Sequence, residues 1–339
     1  MPNNKKLVII NNESVSEKDN KFHCDNIEMK SLPEGLNESF DVSLIVRKSK
    51  YERSHSIDLT NIKVAKNIFV FLHRIFQTFK NKEVNYLIIS ITPYTFFSYL
   101  ILFIFRKKIF LYLRSNGYEE WKAIIGFWGA PLYHIFYSLV IHGSSVISCQ
   151  ERLTKNKESR LVYPSELDEV WVKNISEANL SKTKLLYVGR VKVEKGIFSL
   201  FNILNKIEDD IVLSVVGKAE EREKIKNKKV NFIGYGYNAD KLIKIYDSHN
   251  ISILPSFTEA HPKVLDESLA RLRPIIIFED IEHVINNKNG IFVSKRDPLS
   301  LKNTINYIMQ NYIKIQKEMS KNILPTKKNF ISEMTKILN

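Results

Sequence analysis

Two glutamates in the second half of the chain, Glu259 and Glu267, can accept hydrogen bonds from hydroxyl groups and are separated by seven residues. They follow the apolar run Ile251–Leu254, which has the length of a buried strand and is bounded by turn residues. Two glutamates at a fixed spacing also occur by chance, so the pair alone indicates no function. The position of the pair after a strand does indicate a function, because ligands of open α/β sheets bind beyond the carboxyl ends of the strands.

Between the two glutamates, the sequence predicts the start of a helix. Pro262 fits the first helical position, where a missing N–H group costs nothing. The backbone N–H groups of Lys263 and Val264 would then be free, and the helix dipole favours an anion beside them. Carboxylates and free N–H groups at one place suit a ligand with both hydroxyls and phosphates, such as a nucleotide sugar.

A second group of residues with phosphate-binding chemistry follows another apolar run, Leu185–Val188. Gly189 lets a ligand approach the backbone, and Arg190 offers a planar fork of donors. Lys195 adds a mobile charge beside Gly196 at a predicted helix start. Gly-Arg alone is common in surface turns with solvated charges. The whole run, with the spaced glutamates downstream, favours a phosphate site.

The composition is that of a soluble globular protein with excess positive charge. The chain has 339 residues, which allows two domains. Its apolar fraction of 44% and charged fraction of 26% exclude a disordered protein, and its net charge at pH 7 is +14. The charge favours anionic partners, namely phosphates, nucleic acid or an anionic membrane surface, although a codon bias that places lysines on the surface would give the same excess. Cys24 and Cys149 are too far apart in sequence to suggest a disulfide framework or a metal site, and they indicate a reducing compartment. The run Leu7–Ile10 is too short for the core of a signal peptide.

One apolar segment, Tyr94–Phe105, has two interpretations. It ends in the basic cluster Arg106–Lys108 and falls short of the roughly 20 residues that span a bilayer. It predicts a buried crossover helix of an α/β sheet. Alternatively, its aromatic residues and the basic cluster form a membrane-docking face, which Trp121, Phe127 and Trp128 would extend.

Short apolar runs alternate with helical patterns along the chain, which predicts parallel sheets with helices on both faces. The predicted strands are Leu7–Ile10, Val42–Val46, Tyr86–Ile91, Ile109–Leu113, Val146–Ser148, Leu185–Val188, Ile211–Val216, Val230–Ile233, Ile251–Leu254, Ile275–Phe278 and Ile291–Val293. The predicted helices are Asn61–Lys80, Tyr94–Lys107, Trp121–Val140, Gly196–Lys206, Ala239–Ser248, Lys263–Ala270 and Pro298–Asn311. Because the alternation restarts near residue 184, we expect two domains, a hinge near residues 163–183 and a ligand cleft between the domains.

In their joint order, the motifs from about residue 184 to 310 resemble those of retaining glycosyltransferases of family 4. The matching motifs are Gly189-Arg190, Glu194-Lys195-Gly196, Phe232-Ile233-Gly234, Leu254-Pro255-Ser256, the glutamate pair and Asn289-Gly290. The resemblance implies the GT-B fold, an α/β architecture of two Rossmann-like, doubly wound parallel-sheet domains facing a central cleft. We therefore expect an acceptor-binding domain at 1–170, a nucleotide-sugar-binding domain at 180–315, and a helical tail at 316–339 that packs back on the first domain.

The resemblance also implies roles for individual residues. Arg190 and Lys195 would hold the diphosphate of the donor and stabilise it as a leaving group. Glu259 would contact hydroxyls of the transferred sugar, which makes these three residues the catalytic candidates, and Glu267 would bind the ribose. The remaining donor-binding candidates are Gly189, Ile233, His261, Pro262, Lys263 and Val264. The family's chemistry needs no metal, and the chain has no Asp-x-Asp run to clamp a divalent ion on a diphosphate.

The chain departs from the family pattern beside the first glutamate. Ala260 stands where the family usually has glycine, and His261 and Pro262 stand where an aromatic and a small residue are common. A methyl group in place of hydrogen is a small change. The contacts to the sugar are expected to differ at the other two positions.

The first half matches the family in its pattern of elements only. It lacks the usual glycine-rich loop after the first strand and the usual histidine after the fourth. Candidates for the acceptor side in place of that histidine are Arg114, Asn116 and Tyr118. The same run is equally typical of a loop that caps the next helix.

The resemblance implies a metal-independent, retaining hexosyltransferase that moves a sugar from a nucleotide-diphosphate sugar to a hydroxyl of a saccharide or lipid-linked acceptor. The expected setting is bacterial surface polysaccharide or glycolipid synthesis (lipopolysaccharide or capsule), in the cytoplasm or on the inner face of the plasma membrane. No cofactor is expected beyond the donor substrate. The alternatives are a GT-B sugar-nucleotide epimerase, a non-catalytic glycosyltransferase-like partner subunit, and a nucleic-acid-binding module, for which no aromatic and basic cluster with a known motif is present.

Overall fold

The computed structural model describes residues 5–80, 83–154, 157–217 and 229–339. The chain forms two compact units. The first unit comprises Met1–Glu166 and Lys327–Asn339, and the second comprises Leu167–Thr326. The second unit is therefore inserted into the sequence of the first. The residues expected to form one tail, 316–339, are divided between the two units.

Strands and helices alternate through most of the described chain. The strands are β1 (Lys6–Lys18), β2 (Lys21–Cys24), β3 (Asp41–Lys48), β4 (His55–Ile57), β5 (Ile62–Ala65), β6 (Val84–Ile89), β7 (Lys108–Leu113), β8 (Ser145–Ser148), β9 (Arg160–Leu161), β10 (Thr183–Val188), β11 (Ile211–Val216), β12 (Val230–Gly234), β13 (Ile251–Leu254), β14 (Ile275–Phe278) and β15 (Ile291–Ser294). The helices are α1 (Ile27–Leu36), α2 (Ile68–Phe76), α3 (Pro93–Ile104), α4 (Gly117–Ile125), α5 (Gly129–His142), α6 (Glu169–Val172), α7 (Ile197–Leu204), α8 (Ala239–Asp247), α9 (Lys263–Ala270), α10 (Pro298–Gln310), α11 (Tyr312–Met319) and α12 (Lys327–Leu338).

The sheet of the first unit is parallel at its centre and antiparallel at one edge. Strands β5, β3, β1, β6, β7, β8 and β9 pair in that order, all parallel. The second half of β1 pairs with β2, and β2 pairs with β4, both antiparallel. The predicted α/β class with parallel sheets is therefore confirmed, with a small antiparallel extension that the sequence pattern did not indicate.

The predicted helix Asn61–Lys80 is wrong in its first part. Strand β5 occupies Ile62–Ala65 and pairs with β3. Its β-branched residues fit an extended strand beside an available partner, and this pairing outweighs the helical spacing. The helix α2 begins only after Asn67, whose side-chain oxygen accepts a hydrogen bond from the N–H of Val70 at 3.0 Å.

The predicted helix Trp121–Val140 is divided into α4 and α5 by the 3₁₀ turn Gly126–Trp128. Gly126 has a φ of +79°, which favours glycine. A Cβ atom on Gly129 would lie 2.1 Å from the carbonyl oxygen of Trp121. The two glycines therefore allow a sharp reversal that a continuous helix does not have.

The core of the first unit includes the end of the chain. Phe330, Met334 and Leu338 of α12 are at most 2% exposed and pack with the apolar side chains of β1 and β3. The Asn85 side chain donates a hydrogen bond to the carbonyl oxygen of Leu338 at 2.5 Å. Helix α12 is thus an integral element of this unit, although 160 residues of the second unit separate it from β9 in sequence.

The second unit has a fully parallel sheet of order β12-β11-β10-β13-β14-β15. The strand order reverses between β10 and β13, which pair through Leu185 with Ile251 and Leu186 with Ser252. Loops that follow strands on either side of such a reversal diverge and leave a crevice, where doubly wound sheets bind ligands. The strand order of this sheet therefore predicts a ligand site at the carboxyl ends of β10 and β13.

Two buried arginines attach the start of the second unit to its helices. Arg271 is fully buried, and its guanidinium donates to both carboxylate oxygens of Asp247, at 3.0 and 2.7 Å. It also donates to the carbonyl oxygens of Trp171, Lys173 and Asn174. Arg273 donates to the carbonyl oxygen of Ser176. The stretch that follows residue 170 is therefore fixed on the second unit by charge-assisted hydrogen bonds.

Candidate functional site

The two groups of residues singled out by their chemistry follow β10 and β13, the neighbouring strands at the reversal point. Gly189 comes directly after β10, and Pro255 comes directly after β13. Because parallel strands end at the same edge of a sheet, the loops 189–196 and 255–262 lie side by side. The second unit therefore brings together residues that are far apart in sequence.

Lys195 and Glu259 are in direct contact at this edge. The Lys195 ammonium lies 2.5 Å from Oε1 of Glu259, and the Ser256 hydroxyl donates to the same oxygen at 2.7 Å. The side chains of Lys195 and Glu259 are 21% and 12% exposed, so the ion pair is largely shielded from solvent. An anionic ligand beside Lys195 would release the carboxylate to accept hydrogen bonds from hydroxyl groups.

The loop that carries Lys195 touches the loop that carries Glu259. Gly196 has a φ of +64°, and a Cβ atom there would lie 1.8 Å from the carbonyl oxygen of Pro255. The N–H of Phe257 donates to the carbonyl oxygen of Glu194 at 3.1 Å. This backbone contact sets the distance between Lys195 and Glu259.

Arg296, which follows β15, also holds the loop after β13, and sequence reasoning missed it. Its guanidinium donates to the carbonyl oxygens of Pro255 and Ser256 at 2.8 and 3.0 Å. It also stacks on the rings of Phe257 and Phe278, at 4.0 and 4.5 Å from their centroids. Its position after a strand was the only sequence signal for this role.

Arg190 lies at the surface of the same loop. Its side chain is 66% exposed, and its guanidinium is 3.8 Å from the carboxylate of Glu194. The Tyr187 hydroxyl donates to the carbonyl oxygen of Arg190 at 2.7 Å. Burial, and then the charge of Glu259, raise the pKa of Tyr187 well above its usual value, so this phenol stays protonated as a donor. An exposed pair such as Arg190 with Glu194 is weak and leaves the guanidinium available to a phosphate.

Glu267 lies inside α9, and its carboxylate is positioned by a buried tyrosine of α8. The Tyr246 hydroxyl donates to Oε2 of Glu267 at 2.9 Å. Burial, and then the charge of Glu267, raise the pKa of Tyr246 well above its usual value. The tyrosine therefore remains a donor and fixes the orientation of a carboxylate that can accept hydroxyl hydrogens.

The start of α9 differs by one residue from the prediction made from Pro262, which fits the first helical position in the sequence but precedes the helix in the structure. Pro262 is the residue before the helix, and Lys263 is its first residue, so the first N–H groups of α9 face outward from the helix end. The imidazole of His261 is 6% exposed and lies 3.1 Å from the carboxylate of Asp266. Its side chain therefore points into the protein.

Asp266 joins His261 to Lys288 in a buried network. The Lys288 ammonium lies 2.5 Å from Oδ1 of Asp266. Burial alone would raise the pKa of Asp266, but the hydrogen bonds from His261 and Lys288 outweigh it, so that this pKa lies below its usual value. A buried carboxylate beneath the start of α9 therefore holds this loop by charge.

Ile233 lies near the carboxyl end of β12, two strands away from β10 in the sheet. Its carbonyl oxygen accepts a hydrogen bond from the Tyr237 hydroxyl. The next residue, Gly234, has a φ of +124°. Ile233 thus lies at the same edge of the sheet as the loops that carry Lys195 and Glu259.

In the first unit, two of the three acceptor-side candidates line a cavity of about 200 Å³. Asn116 accepts a hydrogen bond from the N–H of Tyr118 at 3.2 Å and caps α4, as the alternative interpretation of this run expected. The Tyr118 hydroxyl lies 2.8 Å from Nδ1 of His134. The other lining residues are Ser115, Gly117, Tyr133, Arg152 and Leu153.

Arg114 does not line this cavity. Its guanidinium forms an ion pair with Glu13 of β1. Burial alone would lower the pKa of Arg114, but the charges of Glu13 and Glu28 raise it further, so the guanidinium is fixed in its charged form. We therefore assign Arg114 to the structure of the sheet edge, while Asn116 and Tyr118 remain candidates for ligand contact. Within residues 5–80, 83–154, 157–217 and 229–339, no group of three His, Cys, Asp or Glu side chains is arranged to hold a metal ion.

Comparison with known families finds a match in the second unit. Residues 172–324 match the family described as "Glycosyl transferases group 1". This match covers nearly all of the second unit, Leu167–Thr326, which is therefore similar to a glycosyltransferase group 1 domain. An uncharacterised glycosyltransferase of Methanocaldococcus jannaschii is 29% identical over 133 residues, which are 34% of this chain and 33% of the relative. The chain thus matches about one third of the length of that curated relative.

Solved structures extend the likeness to the whole fold. Sucrose-phosphate synthase from Thermosynechococcus elongatus has a TM-score of 0.68 at 15% identity, with 98% of each chain covered. Anabaena HepE, solved in complex with UDP-glucose, has a TM-score of 0.63 at 13% identity, with 98% of this chain and 95% of that chain covered. Both are GT-B glycosyltransferases, and the chain therefore has a two-domain, GT-B-like fold.

Proposed function

We propose that the second unit is a glycosyltransferase domain and that the chain is a retaining enzyme. It would move a sugar from a nucleotide-diphosphate sugar to a hydroxyl of a saccharide or lipid-linked acceptor in the synthesis of a bacterial surface polysaccharide or glycolipid. The observation that carries the proposal is the contact between Lys195 and Glu259 at the reversal point of the second sheet. A cation for the diphosphate and a carboxylate for the sugar hydroxyls meet there.

The donor would bind the second unit with its ionic contacts in a fixed order along the site. The diphosphate would face Lys195, Arg190 and the outward N–H groups at the start of α9. The sugar hydroxyls would donate to Glu259, and the ribose hydroxyls to Glu267, which Tyr246 holds in place. Lys195 would exchange the carboxylate of Glu259 for a phosphate oxygen, so that its charge offsets the negative charge developing on the leaving group.

The transfer itself needs no protein nucleophile in this proposal. The acceptor oxygen forms a bond to the anomeric carbon on the face from which the diphosphate leaves, and the bond from that carbon to the phosphate oxygen breaks. The acceptor proton passes to the departing phosphate oxygen. Attack on the vacated face retains the anomeric configuration. Asn116 and Tyr118 of the first unit are our candidates to contact the acceptor.

A thermal-shift screen against UDP-, GDP-, CMP- and dTDP-sugars tests donor binding. A ligand present at 100 times its Kd stabilises the folded state by about 2.7 kcal/mol, which is readily measured. We expect one nucleotide class to raise the melting temperature of the wild type and to lose most of its effect in Glu267→Ala. A protein that none of these sugars stabilises would contradict the proposal.

Transfer assays with the donor so identified test the catalytic assignment. We expect Lys195→Ala, Arg190→Ala and Glu259→Ala each to lower the rate at least about 10-fold, or 1.4 kcal/mol. Lys182→Ala is the matched control, because Lys182 belongs to the same unit and forms an exposed pair with Asp210. Wild-type rates in the three variants would refute the assignment, and release of a free epimerised nucleotide sugar would indicate an epimerase.

A further inference from the structure

The first unit exposes apolar side chains on three neighbouring helices, α2, α3 and α5, and on the turn between α4 and α5. Phe76 of α2 and Phe105 at the end of α3 are 42% and 52% exposed, and their ring centroids lie 5.9 Å apart. On α5, Ile135 and Leu139 are 56% and 51% exposed, at helical spacing on the side opposite the buried Tyr137. Monomeric soluble proteins rarely expose contiguous apolar patches larger than a few hundred Å².

The most exposed part of this surface is the turn Gly126–Trp128. Phe127 and Trp128 are 81% and 70% exposed, and their rings pack against each other with centroids 5.5 Å apart. Tryptophan is enriched at membrane–water interfaces, because its ring is apolar and its N–H still binds water. We refer to this turn and the exposed sides of α2, α3 and α5 as the docking face.

The segment Gly117–His142 is long and apolar enough to cross a membrane, but it is folded back on itself. In a straight helix, Tyr118 and Tyr133 would be separated by roughly 22 Å along the axis. Their ring centroids lie 4.7 Å apart. The segment therefore presents its turn to the surroundings, which suits docking on a bilayer rather than spanning it.

The charged residues around the docking face are mostly basic. Residues 61–113, which contain α2 and α3, have eight lysines and arginines and one acidic residue, Glu83. Helix α5 and the turn before it have no carboxylate, and the two glutamates of α4 lie in its first turn, away from Phe127. The basic cluster Arg106–Lys108 directly follows Phe105. This pattern complements an anionic surface.

We propose that the docking face binds an anionic lipid bilayer, with Phe127 and Trp128 in the interface and Arg106–Lys108 against the head groups. A second copy of the chain fits the docking face less well than an anionic bilayer does. A twofold contact places the same patch on both sides and would set basic residues against each other. The inference does not depend on the proposed function, since it uses no residue of the donor site.

Tryptophan fluorescence of the full chain tests the proposal. Trp128 is 70% exposed, whereas the other two tryptophans of the chain, Trp121 and Trp171, are 6% and 3% exposed, so that a change in the solvation of Trp128 dominates the spectrum. We expect vesicles of phosphatidylglycerol and phosphatidylcholine to shift the emission to the blue. The shift should be absent in Trp128→Phe and weaker at high salt. Vesicles of phosphatidylcholine alone should have a smaller effect.

Co-sedimentation with the same vesicles measures the affinity. The double variant Phe127→Ser/Trp128→Ser should bind at least about tenfold more weakly, because it removes the apolar area that enters the interface. The double variant Arg106→Gln/Lys108→Gln should bind more weakly to the anionic vesicles only. Ile313→Ser is the matched control, since Ile313 is 78% exposed on α11 of the second unit, and it should bind as the wild type does.

Two outcomes would overturn the proposal. One is equal binding of the wild type and Phe127→Ser/Trp128→Ser to anionic vesicles, or binding by neither. The other is self-association in analytical ultracentrifugation that the same double variant abolishes, without vesicle binding by the wild type. That second result would assign the docking face to another copy of the chain.

Discussion

The contact between Gly196 and Pro255 determines how closely Lys195 approaches Glu259, and Gly196→Ala tests this dependence. An alanine in the left-handed conformation of Gly196 costs roughly 1–2 kcal/mol. Its Cβ atom would lie 1.8 Å from the carbonyl oxygen of Pro255, whereas real Cβ contacts are not shorter than 3.0 Å. The two loops must therefore separate by about 1.2 Å, which moves the cation and the carboxylate apart.

A misplacement of about 1 Å in a reacting group can lower a rate roughly 100-fold, or about 2.7 kcal/mol. We therefore expect Gly196→Ala to lower kcat/KM for sugar transfer by about two orders of magnitude. The assay uses the nucleotide sugar that gives the largest thermal shift with the wild type. A kcat/KM within about threefold of the wild type would refute the claim that this backbone contact sets the geometry of the site.

Gly126→Ala is the matched control for the cost of the backbone conformation. Gly126 has a φ of +79°, but a Cβ atom there would meet nothing within 4 Å. Its variant therefore carries the conformational penalty without a clash, and it lies in the other unit. We expect lower thermal stability and an unchanged Kd for the donor. An equal loss of transfer in both variants would show that the clash with Pro255 is not the cause.

Two further predictions concern the stability of the second unit. Arg271→Met should lower the free energy of unfolding in urea by about 3–5 kcal/mol, because it leaves the carboxylate of Asp247 without its main partner in a buried site. The control Lys182→Met, at an exposed pair with Asp210, should lower the free energy of unfolding by less than about 1 kcal/mol. Similar losses in the two variants would contradict the role of burial. Burial lowers the pKa of His249 below 6.5, so the unfolded chain binds a proton that the folded chain does not as the pH falls below 6.5. The free energy of unfolding should therefore decline from pH 6.5 down to the pKa of His249 in the folded state. His249→Gln should flatten that part of the profile of stability against pH. An unchanged profile in the variant would assign the decline to other groups.

The strands at the centre of the second sheet could be predicted from the sequence almost to the residue. Ile211–Val216, Ile251–Leu254 and Ile275–Phe278 have the predicted bounds. Strands that are covered by helices on both faces form uninterrupted apolar runs, and such runs are easily recognised. Strands β2 and β4 lie at an edge and contain polar residues such as His23 and Ser56, so their sequences carry no comparable signal.

The contact between Lys195 and Glu259 depends on the pairing of β10 with β13, and the sequence pattern predicted these strands but not their order in the sheet. The contribution of Arg296 could not be predicted in this way. Its role depends on stacking against Phe257 and Phe278, which lie on two other segments, and no spacing in the sequence encodes that three-way contact. The roles assigned to Arg190 and Glu267 in donor binding remain predictions.

Helix α12 gives the order in which the units can mature during synthesis. The first unit packs Phe330, Met334 and Leu338 into its core, so that core stays incomplete when Glu166 leaves the ribosome. At about 5–20 residues per second, a further interval on the order of 10–30 s passes before Leu338 is made. The inserted unit is continuous in sequence and is complete first. Until α12 is synthesised, the nascent amino-terminal half exposes an apolar groove. We expect chaperones to bind the chain mainly during this interval.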